Sequence, residues 1–179
     1  QLQPTVDLRF ETTELELSWT DIEEILMPGD FPGLNTVRSY GYDTWQVGLD
    51  NNTFEILQFG ANYRKGTTLN LVPPVGYLPS VADTSRIDLD VTLRPIDQLS
   101  IANTYFLTEL ETRTGTKIFS NEIIRSNWNY QFTKELSLRF IAQYDKTDAG
   151  SATRLKDDEN LNFDVLLRYV INPWSAFYV

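Results

Sequence analysis

The chain has 179 residues, with 15 basic and 25 acidic side chains and a formal charge of −10. It has no cysteine and no histidine, which excludes a disulfide framework, a thiolate nucleophile, a Ser-His-Asp triad and an imidazole metal site. The acidic balance argues against a nucleic-acid partner, and no apolar run approaches the ~18–20 residues of a membrane helix.

From the start of the chain, the apolar residues recur at every second position. Val6, Leu8 and Phe10 are followed by Leu15, Leu17 and Trp19, then Trp45, Val47 and Leu49, then Leu57, Phe59, Ala61 and Tyr63. Ile87 to Leu93 alternates without a break. Leu99, Ile101, Tyr105 and Leu107 carry the pattern on, as do Ile124, Trp128, Tyr130 and Phe132. Leu136 to Tyr144, Leu161 to Tyr169 and the stretch from Trp174 complete it. Period 2 puts one residue class on each face of a strand. The pattern predicts about ten strands, many with the ~9–11 residues that a tilted membrane-crossing strand needs.

The breaks come in two kinds. Glu11-Thr12-Thr13, Asp50-Asn51-Asn52, Arg94-Pro95-Ile96-Asp97, Thr133-Lys134-Glu135 and Asn172-Pro173 are tight, with the Pro, Asn and Asp that turns favour. Residues 21–40, 65–85, 108–120 and 145–159 read as long polar loops. Short and long breaks alternate, so all turns fall at one end of the sheet and all loops at the other. The expected fold is therefore all-β: an antiparallel up-and-down meander forming part of an outer-membrane β-barrel. Gln1 is not a start methionine and the chain stops within an expected strand, so 1–179 reads as one barrel domain cut at both ends.

The two strand faces differ. Trp19, Trp45, Tyr63, Trp128, Tyr130, Tyr144 and Tyr169 lie toward the ends of the apolar face, where amphipathic rings would form girdles at the lipid interface. The other face carries Asp88, Asp90, Arg94, Arg125, Arg139, Asp164 and Arg168. In a closed barrel these seven line the lumen, either as a selective lining or, as interior charges more often do, as a structural ion-pair network.

Several segments resemble a known bacterial family in order and spacing. They are Asn70 to Gly76, Leu93-Arg94-Pro95, Asn103-Thr104-Tyr105, Ile118 to Arg139, Gln143-Tyr144-Asp145 and Asn172 to Val179. They are similar to the C-terminal barrel of large outer-membrane proteins whose N-terminal part resembles a family-9 carbohydrate-binding module. The resemblance is dense from Asn70 onward and thin before it. It implies a location in the bacterial outer membrane, lipid as partner, and carbohydrate reached through an N-terminal domain outside this sequence. It brings no catalytic residues with it.

Other motifs favour bland readings. Thr20-Asp21-Ile22-Glu23 resembles a helix capping box. Asp145, Asp148, Asp157, Asp158 and Glu159 read as a solvated acidic loop rather than a calcium site, because their spacing does not fit an EF-hand. Asp88 and Asp90 have only the spacing any strand gives, so no catalytic pair, metal or cofactor is expected and the chain is not expected to be an enzyme. The expected function is a barrel segment that anchors, or forms a translocation or display pore for, a larger carbohydrate-handling protein. The alternatives are a fragment of a gated nutrient-uptake receptor and a soluble β-sheet module that binds glycans.

Overall fold

The computed structural model describes the backbone of residues 5–10, 13–172 and 175–178 and the side chains of residues 14–170. The expected turns at Glu11-Thr12 and at Pro173 lie outside the described residues. The strands are β1 (Thr5–Phe10), β2 (Thr13–Leu26), β3 (Arg38–Asn51), β4 (Leu57–Asn70) and β5 (Ser80–Ile96). They continue with β6 (Leu99–Thr112), β7 (Lys117–Gln131), β8 (Leu136–Ala149), β9 (Asp158–Asn172) and β10 (Ser175–Tyr178). All pair antiparallel in chain order within one sheet. The fold is the expected all-β meander: eight long strands, β2 to β9, between two short ones. Among the described residues no ladder joins β1 to β10, so the sheet is open.

The long strands run 14 to 17 residues, several more than the apolar alternation alone suggests. The extra residues lie at the loop end, where polar side chains continue the ladder. Residues 21–26 are strand rather than the start of a helix, and Asp145 and Asp148 belong to β8. The loops shrink accordingly to 27–37, 71–79, 113–116 and 150–157.

The link 113–116 is as short as the turn 132–135, so the strict alternation of short and long connections fails there. It is a tight hairpin. Gly115 takes φ +81°, and the Thr112 hydroxyl accepts the Thr116 N–H at 3.0 Å. At the turn end, Asp97-Gln98 is a two-residue link. Pro95, with no N–H to donate, sits where β5 slips register against β6, between Leu93 and Ile96.

Among the described residues the buried apolar ones, Leu26, Leu34, Leu69, Ala82, Leu110 and Ile118, all lie near the loop end. Phe31, Leu34 and Leu78 come from loops and pack with Leu26, Tyr40 and Tyr42; Val72 and Ala152 do the same over Ala82 and Leu110. The loops are tied to one another. The Thr153 hydroxyl donates to the Val72 carbonyl at 2.8 Å, and the Arg154 guanidinium lies 5.6 Å from the centre of the Phe31 ring. Tyr40 donates its hydroxyl to the Pro79 carbonyl at 3.1 Å. In a flat sheet β3 and β8 would stand about 24 Å apart, at ~4.8 Å per strand. That their loops meet over the polar face indicates a sheet curled toward that face.

Candidate functional site: two faces and an inner cavity

The register turns the apolar face into continuous rows. Leu15, Leu49, Ala61, Leu89, Tyr105, Ile124, Tyr144 and Leu161 are successive partners across β2 to β9. Another row links Leu57, Leu93, Ile101, Trp128, Phe140 and Val165. These side chains face outward: Leu89 is 41% exposed, Trp128 45% and Phe163 63%.

Toward the loop end, this face changes character in a single step on every long strand. Trp19 gives way to Asp21, Trp45 to Asp43, Tyr63 to Lys65, Ile87 to Ser85, Leu107 to Glu109, Ile124 to Glu122, Tyr144 to Lys146 and Leu161 to Glu159. The limit falls on the Trp19–Trp45 row at one side of the sheet and two apolar-face rows nearer the turn end, on the Tyr144–Leu161 row, at the other. An apolar band therefore crosses the strands obliquely, as it must when strands tilt relative to the band. On β8 and β9 it extends from Leu136 to Tyr144 and from Leu161 to Tyr169, nine residues each.

All seven expected girdle aromatics lie on this face. Trp19, Trp45, Tyr63 and Tyr144 mark its loop-end limit, whereas Trp128, Tyr130 and Tyr169 lie toward its turn end. Trp45 and Tyr63 meet edge to face at 5.4 Å, and Tyr130 meets Phe132 the same way at 4.7 Å.

The other face inverts the pattern. Its turn half is polar, with Asp50, Asp90, Thr104, Arg125, Gln143 and Asn162 in one row. Its loop half holds the apolar clusters under the loops. The inversion is clearest on β2 and on β5 to β7, whereas the loop halves of β8 and β9 stay polar on this face as well, with Asp145, Thr147, Asp158 and Asn160.

The seven expected lumen residues share the polar face but do not form the expected ion-pair network. Asp88 pairs with Arg86, not with an arginine of the expected set, at 2.7 Å. Asp90 and Arg125 share a row with Thr104 between them. Arg139 is opposed by Asn129 and Leu166, Asp164 by Ile141 and Arg168 by Ser137. Arg94 lies in the irregular stretch of β5, its N–H donating to the Ile56 carbonyl at 2.8 Å. No two opposite charges of the set are direct register partners: Asp90 and Arg125 have a strand between them, and Asp164 is only a diagonal neighbour of Arg139, where side chains stand farther apart. The Asp90 and Asp50 carboxylates instead lean over Gly60, each within 2.6 Å of where a Cβ would stand.

Among the described residues the other ion pairs are Arg113–Asp83 and Lys117–Asp148. Lys117 holds the Asp148 carboxyl below its ordinary range. Around the expected acidic loop, Asp157 accepts the Ala149 N–H at 2.7 Å and Asp158 accepts from Asn160, also at 2.7 Å. Among the described residues no group of three or more acidic side chains is placed to hold a metal ion.

One feature was invisible to sequence spacing. A cavity of about 520 Å³ opens under the 71–79 loop on the polar face, lined by Ile22, Leu71, Val72, Leu110, Phe119, Arg64 and Arg86 among others. Arg64 and Arg86 are direct register partners on β4 and β5. The Arg64 Nε and Nη2 both donate to Gln46 Oε1, at 3.1 and 2.7 Å. Arg86 donates through Nε to Asp88, and its guanidinium lies 5.7 Å from the centre of the Phe106 ring. At the cavity's edge Tyr42 donates to Glu24 at 3.1 Å; burial first, then this carboxylate, raises the phenol above its ordinary pKa. Finding the arginine pair needs the register, since the two are far apart in sequence.

No family model matches the chain, and no curated protein matches it.

Proposed function

We propose that the chain is a segment of an outer-membrane β-barrel. It meets lipid through its apolar face, and the polar turn half forms the lumen wall. The loop halves of the strands stand out of the bilayer beneath their own loops. The observation that carries this reading is the one-step change from apolar to polar on the outward face of all eight long strands. A bilayer edge imposes such a limit at one height; water on both sides gives no reason for one. The nine-residue band on β8 and β9 suits a tilted strand crossing a hydrocarbon layer of about 25 Å. The small buried core supports the same reading, because an ordinary soluble domain hides most of its large apolar residues from solvent.

Within that reading the role is passive. The segment anchors a larger carbohydrate-handling protein and contributes to a translocation or display pore, as the resemblance to barrels with a family-9-like carbohydrate-binding module suggests. A soluble glycan-binding sheet would instead present its aromatics on the concave face. Here all seven lie on the opposite one. The test is to express the protein with a bacterial secretion signal, fractionate the cells and compare gel migration before and after boiling. The expected result is recovery with outer membranes and heat-modifiable migration. Recovery in buffer without detergent sinks the reading.

A further inference from the structure

We propose that the cavity under the 71–79 loop binds a small amphipathic anion, an apolar body bearing one carboxylate or phosphate, with Arg64 and Arg86 gripping the charged group. Like charges directly opposed across a strand pair destabilise a sheet, and these two guanidinium groups are register partners. Nearby acid answers only one of them. Asp88 takes the Arg86 Nε, while Arg64 bonds the neutral amide of Gln46 and, among the described residues, forms no ion pair.

Of the other carboxylates on this face, Asp50 and Asp90 lean over Gly60, four residues along β4 from Arg64. Glu24 is engaged by the Tyr42 hydroxyl. Glu16 stands one row from Arg64 with β3 between them. An excess positive charge is therefore held at the cavity wall of a chain whose net charge is −10. A guanidinium fork is suited to a carboxylate or phosphate, and Arg86 keeps its terminal nitrogens free of Asp88.

The rest of the wall sets the body of the ligand. Ile22, Leu71, Val72, Leu110 and Phe119 offer apolar surface, and about 520 Å³ falls within the ordinary range for small-molecule sites. The cavity opens on the face opposite the apolar band. This favours a free amphiphile over the headgroup of a bilayer lipid.

The inference does not rest on the membrane reading, since the cavity and the arginine pair are there whichever solvent covers the outer face. The test uses the full chain in non-ionic detergent, with 2-naphthoate as probe, 2-naphthalenemethanol as its neutral counterpart, and inorganic phosphate. Binding is followed by calorimetry. Naphthoate is expected to bind saturably and at least about tenfold more tightly than either control, the loss expected when one charge-assisted contact goes.

Arg64→Gln should weaken naphthoate about tenfold, and Arg64→Lys should recover part of it. Val72→Trp, a loop change that fills the cavity and leaves both arginines in place, should abolish binding while the strand signal in circular dichroism persists. Equal binding of naphthoate and the alcohol overturns the proposal, as does indifference to Arg64→Gln or Val72→Trp. Phosphate binding as tightly as naphthoate overturns the apolar half. Tighter retention of the protein on anionic phosphatidylglycerol vesicles than on neutral ones, abolished by Arg64→Gln, would assign the anion to a lipid and overturn the free-ligand source. Fractionation reports on the membrane reading and calorimetry on the cavity, so either can fail alone.

Discussion

Trp19 of β2 and Trp45 of β3 face each other directly across the ladder, and the next partners on the same face are Asp21 and Asp43. The Trp19 indole Nε1 donates to Asp43 Oδ2 at 3.4 Å, so the pair is bonded across the polarity limit. Indoles placed this way belong at an interface, ring in hydrocarbon and N–H toward water. In vesicles, a variant keeping Trp45 alone should be quenched more by lipids brominated near the headgroup than by lipids brominated near the chain end. A single tryptophan introduced at Leu89, with the native ones removed, should show the opposite order. Equal quenching of both by shallow bromines would place the sheet on the membrane surface rather than across it.

Leu89 also tests the solvent of the outward face by its charge tolerance. It sits within the band, 41% exposed, between Ala61 and Tyr105. In lipid, Leu89→Arg should cost about 2–4 kcal/mol. Thr92→Arg, on the polar face between Gln58 and Ala102, should cost less than about 1 kcal/mol. Urea unfolding in vesicles measures both. Near-neutral behaviour of Leu89→Arg would mean that water covers this face.

Two glycines of β4 differ in what a methyl group would meet. At Gly66, where φ is +156°, a Cβ would fall onto the Asp43 carbonyl oxygen and within 2.6 Å of Thr44 Cα, all main chain. The backbones approach closely there because β3–β4 pairing ends at Thr44–Gly66, and the Thr67 hydroxyl accepts the Asp43 N–H at 3.1 Å. At Gly60 the obstacles are the carboxylate tips of Asp90 and Asp50, which can swing aside. Gly66→Ala should therefore cost at least about 2 kcal/mol and Gly60→Ala less than about 1 kcal/mol. Equal midpoint shifts in urea would contradict the close approach at Gly66.

The turn halves of the strands were legible because one face there is apolar and the other polar, as in Ile87 to Leu93. The loop halves were not, because the sense inverts. In Asp21 to Leu26 the outward residues are Asp21, Glu23 and Ile25, and Ile22 and Leu26 point under the loops, so neither face is uniformly apolar and the stretch reads as a capped helix start. What fixes it as strand is long-range. Ser39 donates to Glu23 at 2.5 Å and Tyr42 to Glu24 at 3.1 Å, both from the next strand. Parity alone decides which face the expected lumen residues share, so that much is legible in the sequence. Their pairing is not, because it depends on register, and register joins Arg64 to Arg86 instead.

Within the outward band Asn103 and Ser126 form a polar pair of register partners. The Ser126 hydroxyl donates to Asn103 Oδ1 at 2.7 Å and accepts the Trp128 Nε1–H at 2.8 Å. The Trp128 N–H is thus satisfied within the band rather than by water, and Ser126 is the link between the other two. In hydrocarbon an unpaired polar group has no water to turn to. Ser126→Ala should cost about 1–3 kcal/mol in vesicles, because it leaves both Asn103 Oδ1 and Trp128 Nε1 unpaired. Asn103→Val in the Ser126→Ala background removes one of those stranded groups, so the double variant should lose less than the sum of the singles. The expected coupling lies between about 0.6 and 1.7 kcal/mol, the mean and the maximum for hydrogen bonds between membrane-embedded side chains. It is read from a double-mutant cycle of urea midpoints. Additivity within about 0.3 kcal/mol would show that the Ser126–Asn103 bond contributes nothing in lipid, and that water reaches this part of the outward face.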